Sequence, residues 1–200
     1  MLDVETYFKL IVTGSVNSGK TTFVKTISEI EAFTTDEMAT EDDVMQLKQL
    51  TTVAMDYGRR TIDDDIVLHI YGTPGQERFD FMWDILVVGA FGVIFLADST
   101  DKPSLEKTKN IIAFFTERYD LPYLMCVTKL DLADSIGYDE VVDFINQPQI
   151  KTIPLKTIDP NECMNALVTF LTLAVQKEED TESGDDNGID GADLIANIGN

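Results

Sequence analysis

Apolar strands alternating with amphipathic helices predict an α/β domain. Its mainly parallel, six-stranded sheet carries helices on both faces. Three observations point there. Val93–Ala97 and Tyr123–Val127 are almost free of polar residues, as strands covered on both sides must be. Between them Leu105, Thr108, Ile111, Ile112 and Phe115 recur at helical spacing on one face. A glycine-bearing turn, residues 14–19, also separates an apolar strand from a helical stretch.

In chain order, Val4–Thr13 reads as the first strand and Thr21–Ile30 as the first helix. Glu31–Leu50 is polar, acidic and irregular, with a short helix at Glu41–Leu50. Thr52–Arg60 and Asp64–Tyr71 form two strands joined by a tight turn. Gly92–Asp98 is a buried strand. Pro103–Arg118 is a helix whose first residue suits proline, because the missing N–H has no helical partner there. Pro122–Thr128 is a strand, Asp139–Asn146 a short helix, Ile150–Leu155 the last strand and Asn161–Gln176 the last helix.

Two hundred residues suit one domain with a sizeable core. That domain is expected over residues 1–177. Residues 178–200 hold eight acidic residues and no Lys or Arg, and are expected to be a disordered tail. The net charge of −21 argues against nucleic acid or an anionic membrane as partner. Cys126 and Cys163 lie in apolar surroundings and read as buried free thiols. With no basic and apolar leader and no apolar run long enough to span a bilayer, a cytoplasmic protein is expected.

Gly14-Ser15-Val16-Asn17-Ser18-Gly19-Lys20-Thr21 fits G-x-x-x-x-G-K-[ST], the phosphate-binding loop. Its glycines let the backbone curl so that N–H groups converge on phosphate oxygens. Gly14, Val16, Asn17, Ser18, Gly19 and Thr22 are expected to line the nucleotide. Lys20 would reach the β- and γ-phosphates, and the Thr21 hydroxyl would ligate Mg²⁺. The helix that opens at this point aims its N-terminus at the anion.

Thr128-Lys129-Leu130-Asp131 directly follows the fifth strand. A carboxylate at Asp131 can accept both the N1 and N2 hydrogens of guanine. Adenine lacks that donor pair and is rejected by a site so built. The Lys129 stem would pack along the base. After the third strand, Gly75 brings its N–H to the γ-phosphate and Gln76 orients the attacking water. In Thr51-Thr52-Val53-Ala54-Met55-Asp56-Tyr57, the Thr52 hydroxyl is the choice to close over Mg²⁺, with Thr51 in reserve.

With these motifs in place the chain resembles the Ras-like small GTPases from Val4 to Gln176. Gly14–Thr21 matches their first motif and Thr52 their switch I threonine. Gln76 takes the place of the catalytic glutamine, and Thr128–Asp131 matches N-K-x-D with Thr for Asn. Lys156-Thr157-Ile158 falls where S-A-K would lie, leaving only the backbone N–H near Thr157 for guanine O6. Within the superfamily, TTVAMDYG followed by YGTPGQERF is most similar to a prokaryotic branch. That branch includes GTP-binding proteins of conservon-type operons and is related to the polarity GTPase MglA. The resemblance implies GTP/GDP and Mg²⁺ as ligands and slow hydrolysis of GTP. Catalysis would rest on Gln76, Lys20 and Thr52. It also implies an effector and a GTPase-activating protein, the first candidate being of roadblock type. A nucleotide-binding scaffold without turnover, and a P-loop ATPase or kinase, are the rival readings.

Departures accompany the match. The Asp of D-x-x-G is Gly72 here, so the usual Mg²⁺-orienting carboxylate is missing. Thr21, Thr52 and water, or a substitute carboxylate from Asp56 or Asp98, must hold the ion. Val16 replaces a small glycine beside Gln76, which predicts slow turnover. His69, the only histidine, reads as structural. Arg59 and Arg60 are expected at a strand turn, neutralised by Asp63–Asp65, and Arg78 is the better candidate for an arginine finger. Phe79, Phe81, Met82 and Trp83 divide between core and a partner anchor.

Overall fold

The computed structural model describes residues 6–34, 56–63, 66–75 and 81–182. The expected helix at Glu41–Leu50, Thr51, Thr52, Gln76, Arg78, Phe79 and the residues after 182 lie outside these. The strands are β1 (Thr6–Gly14), β2 (Phe33–Thr34), β3 (Asp56–Asp63), β4 (Ile66–Gly72), β5 (Gly92–Asp98), β6 (Tyr123–Thr128) and β7 (Lys151–Leu155). The helices are α1 (Lys20–Ile27), α2 (Phe81–Leu86), α3 (Lys102–Arg118), α4 (Tyr138–Ile145) and α5 (Pro160–Glu182). All six expected strands are present, and two-residue β2 adds a seventh at one edge.

The sheet order is β2-β3-β4-β1-β5-β6-β7. Strands β4, β1, β5, β6 and β7 run parallel, while β3 pairs antiparallel with both β2 and β4. β1 lies where the order reverses, with β4 on one side and β5 on the other. Ligands of such sheets bind outside the carboxyl ends of the strands at that switch point. Residue alternation sorts the core into two layers, because successive strand side chains point to opposite faces. Leu10, Val12, Leu68, Ile94, Leu96 and Cys126 pack against α1 and α5 through Phe23, Val24, Leu167 and Phe170. Ile11, Val93, Phe95, Met125 and Val127 pack against α2, α3 and α4 through Trp83, Leu105, Phe115 and Val141.

Gly92 shows how closely α5 approaches the sheet. A Cβ there would lie 2.5 Å from Phe170 Cζ and 2.7 Å from the Pro122 carbonyl oxygen. That carbonyl already accepts the Val93 N–H at 3.1 Å, so it is not free to retreat. Gly92→Ala is expected to destabilise the domain by about 1–3 kcal/mol through overpacking. Urea unfolding of the two proteins, compared at their midpoints, measures this. An unchanged midpoint would mean that Phe170 moves aside without cost.

Some local expectations are corrected. Arg59 and Arg60 lie inside β3, not at its turn, and reach back to the end of α1. Arg59 Nε sits 3.7 Å from Glu29 Oε1, and Arg60 Nη1 donates to the Ile27 carbonyl at 3.1 Å. Glu29 also accepts the backbone N–H and hydroxyl of Thr61, and its carboxyl is held below the usual range. Met82 and Trp83 are core residues rather than an anchor. The Trp83 indole meets Phe114 edge-on at 5.1 Å, and it belongs to α2, an element not expected from the sequence. His69 is structural as expected, with Nδ1 2.9 Å from the Tyr57 hydroxyl. Both cysteines are buried free thiols, and burial pushes the Cys163 thiol up to about 12. Among the described residues, no helix is long and apolar enough to cross a membrane.

Candidate functional site

The turn after β1 is a curled loop closed at the start of α1. Asn17 and Gly19 adopt left-handed backbone angles, φ 63° and 99°. Gly19 needs this freedom twice over. Its φ disfavours any side chain, and a Cβ would lie 3.0 Å from Thr157 Cγ2. The first turn of α1 carries no acidic residue, so the helix N-terminus keeps its positive end available to an anion. Val16 and Asn17 are exposed at the loop tip, and Thr22 is half-buried one turn into the helix. Ser18 is fully buried, its hydroxyl without a hydrogen-bond partner among the described residues.

Lys20 is only 7% exposed. Its Nζ folds back over the loop and donates to the carbonyls of Gly14 at 2.9 Å and Ser15 at 2.5 Å. Burial pushes its pKa down to about 8, and the charge of Asp56 opposes that shift. The ammonium therefore sits in a desolvated loop with carbonyl dipoles for company. A phosphate would supply the full counter-charge that it lacks.

The segment after β4 lies directly on this loop. The Thr73 N–H donates to the Val12 carbonyl at 2.9 Å and its hydroxyl to the Thr13 hydroxyl at 2.7 Å. Gly75 then approaches so closely that a Cβ would lie 2.7 Å from Val16 N and 2.9 Å from Lys20 Nζ. Thr21, at the other side of Lys20, donates its hydroxyl to Asp56 Oδ2 at 2.7 Å.

The second motif is tied to the first by one side chain. Thr128 is buried at the end of β6, its Oγ1 3.0 Å from the Ser18 carbonyl and 3.2 Å from the Ala97 carbonyl. One hydroxyl proton shared between these acceptors holds the β6 end against the phosphate loop. Thr128 thus acts as a latch. Lys129 takes a left-handed φ of 61° and turns the chain. Its Nζ meets Asp98 Oδ2 at 2.6 Å. Asp98 Oδ1 accepts the N–H and hydroxyl of Thr100, so both of its oxygens are used in capping and pairing.

Asp131 stands past the turn with its carboxylate 2.9 Å from Lys156 Nζ. That contact holds the Asp131 carboxyl below its usual range and the Lys156 ammonium above its own. Lys156 begins the turn after β7, where its N–H donates to Glu162 Oε2 at 2.7 Å. Asp159 Oδ1 accepts the Asn161 N–H at 2.9 Å. The carbonyl of Thr157 accepts the Thr26 hydroxyl from α1 at 2.9 Å. The loops after β1, β4, β6 and β7 are thereby joined at one end of the sheet. Gly14, Ser18, Gly19, Lys20, Thr21, Gly75, Thr128 and Thr157 come together there, with Lys129 and Asp131 beside them. Thr52 and Gln76 lie outside the described residues. Sequence reasoning missed the role of Lys156. Its only signal was a basic residue at the first position of the degraded S-A-K element.

A family model described as conserved hypothetical ATP binding protein matches residues 12–186. An uncharacterised protein of Methanocaldococcus jannaschii, MJ1339, is 30% identical over 162 residues, which span 80% of this chain and 95% of that protein. The GTP-binding protein YPT1 of Saccharomyces cerevisiae is 26% identical over 180 residues, 86% of this chain and 79% of its own. The Ras-related protein Rab-8B of Homo sapiens is 31% identical over 132 residues, 64% of this chain and 58% of its own. These similarities relate the chain to the Ras-like P-loop GTPases.

Proposed function

The chain belongs to the family described as conserved hypothetical ATP binding protein, and from that premise we propose that it is a guanine-nucleotide switch. It binds GTP with Mg²⁺, hydrolyses it slowly to GDP, and presents the difference to protein partners. One observation carries this reading. The Thr128 hydroxyl ties the strand that leads to Asp131 onto the Ser18 carbonyl of the phosphate loop. A base carboxylate and a phosphate cradle are therefore held in one rigid frame, as discrimination between nucleotides requires. The similarity to YPT1, whose name states GTP binding, supports the same base.

In this mechanism the loop N–H groups and Lys20 hold the β- and γ-phosphates, and Asp131 accepts the guanine N1 and N2 hydrogens. Gly75 approaches the γ-phosphate through its backbone, and Gln76 orients the attacking water. The site fits a hard cation, because the Thr21 hydroxyl gives its proton to a carboxylate and keeps lone pairs for a metal. Mg²⁺, when bound, neutralises charge developing on the transferred phosphoryl group. Thr21 and, in the GTP state, Thr52 are its proposed ligands. Thr52 and Gln76 would then order the two switch segments on the γ-phosphate and release them after hydrolysis. No covalent intermediate is involved. We place the chain near the prokaryotic MglA-like branch, in the cytoplasm, with a roadblock-type activator as first candidate and 1–177 as the nucleotide-binding unit.

ATP is the second reading, favoured by the family description. A nucleotide-binding scaffold without turnover is a third, favoured by Gly72 and by Val16 at the loop tip. One experiment separates them. The nucleotide retained by the purified protein is identified, and single-turnover hydrolysis with Mg²⁺ is followed for wild type, Val16→Gly and Gln76→Leu. GTP or GDP as the retained species is expected, with Val16→Gly faster than wild type and Gln76→Leu slower. Retained ATP or ADP would establish the second reading. Bound GTP that is never cleaved by any of the three would establish the third.

A further inference from the structure

We infer that Lys156 competes with the guanine base for the Asp131 carboxylate, and that base binding hands its ammonium over to Glu162. The inference deepens the reading of Asp131 as the guanine acceptor and rests on it. Lys156 Nζ lies 2.9 Å from Asp131 Oδ2. An oxygen assigned to a guanine N–H thus already accepts one from the chain itself. Guanine presents its N1 and N2 hydrogens side by side and spans both carboxylate oxygens. An ammonium seated on one of them breaks that bidentate fit. Lys129, the other cation of this motif, is turned to Asp98 Oδ2 at 2.6 Å. Lys156 is therefore the competitor that the geometry singles out.

The competitor moves as a side chain on a fixed backbone. The Lys156 N–H donates to Glu162 Oε2 at 2.7 Å, and its carbonyl accepts the Asp159 N–H at 2.9 Å. The next carbonyl, of Thr157, accepts the Thr26 hydroxyl at 2.9 Å and the Cys163 thiol at 3.2 Å. Both side chains of the ion pair are nearly half exposed, 43% for Lys156 and 47% for Asp131. A pair so exposed is worth at most a factor of about five, so the flexible lysine stem can leave it. Its destination is close. The Glu162 carboxylate is held at the lysine's own backbone N–H, within reach of the stem. The charges of Glu162 and Asp159 add to that of Asp131 in holding the Lys156 ammonium above its usual range. A cleft of about 360 Å³, lined by Asp131, Lys156, Glu162 and Asn165 with Ile153 and Leu155, gives the stem room on that side. The lysine can thus exchange one carboxylate for another without losing a counter-charge.

The test is a double-mutant cycle read as nucleotide affinity. Wild type, Lys156→Met, Glu162→Gln, the double variant Lys156→Met/Glu162→Gln and the control Asp131→Asn are stripped of nucleotide. Each is titrated with methylanthraniloyl-GDP and Mg²⁺, and association and dissociation are followed by stopped-flow fluorescence. Lys156→Met is expected to bind about three- to fivefold tighter, the full worth of an exposed pair. Removing a cation from the neighbourhood of an anionic nucleotide would by itself weaken binding, so the gain reports the freed carboxylate. Glu162→Gln keeps an acceptor for the Lys156 N–H and removes the charge that receives the ammonium. It is expected to weaken binding about two- to threefold in the wild-type background and to change nothing in Lys156→Met. A merely structural role for Glu162 would weaken both alike, and that result would overturn the hand-over. Unchanged or weaker binding by Lys156→Met, with Asp131→Asn losing affinity, would overturn the competition while leaving the base site as proposed. Wild-type affinity in Asp131→Asn would overturn the reading of Asp131 and this inference with it.

Discussion

Lys20→Ala is expected to weaken triphosphate binding by about 2–5 kcal/mol, the usual cost of truncating one partner of a buried charge pair. That is roughly 30-fold to several thousand-fold in Kd. The ammonium is the one cation of the loop, and it is already desolvated and bent over the carbonyls of Gly14 and Ser15. Burial holds its pKa down at about 8, so the free protein bears an electrostatic cost that a phosphate relieves. Removing the side chain removes that cost from the free protein too. The thermal midpoint of the nucleotide-free variant should therefore not fall, while the upward shift produced by GTP and Mg²⁺ should vanish. Calorimetric titration of both proteins with GTP measures the affinity directly. Wild-type affinity in the variant would place the phosphates elsewhere.

Asp131→Asn is expected to invert the choice of base. A carboxylate accepts the two guanine hydrogens, whereas an amide can donate to the C2 carbonyl of xanthine. Sites built to hydrogen-bond a particular group discriminate by about 10⁴–10⁵, so a shift of at least ~10² from GTP toward XTP is a conservative expectation. The ion pair to Lys156 is solvent-exposed, and exposed pairs add little to folding. The variant should therefore keep the wild-type thermal midpoint, and a changed preference can be assigned to the base site. Competition of GTP, XTP and ATP for one labelled nucleotide provides the measurement. Unchanged preference for GTP would remove Asp131 from the site. Preference for ATP in the wild type would show that this carboxylate never meets a guanine.

Most of the sheet was legible in the chain. Val93–Ala97 and Tyr123–Val127 carry too little polar surface to face water, and β5 begins and ends where composition says it should. Leu105, Ile111, Ile112 and Phe115 share a face because 3.6 residues make a turn, and all four are buried on α3. Helix ends were less legible. α5 runs to Glu182, six residues beyond the expected Gln176, since Lys and Glu, which make up most of that extension, are good helix formers without any apolar face to bury. α2 escaped notice because six residues are too few to show a period. The sequence left the cluster around Trp83 divided between core and partner anchor, and tertiary packing, with Phe114 against its indole, places Trp83 in the core.

By itself the sequence determined the phosphate loop, the strand–helix alternation and the carboxylate placed after β6. Each is a matter of short spacing, and short spacing is set by the geometry of the backbone. Tertiary structure alone decided that Asp56 reaches Thr21, thirty-five residues away, and that Thr128 latches onto Ser18 across one hundred and ten. It also decided that Lys156 meets Asp131. The β3–β4 register shifts between Thr61 and Asp63, so no count along the chain places Asp56 opposite Gly72. Such contacts depend on which strands pair and how they slide, and a one-residue slip would send every side chain to the other face.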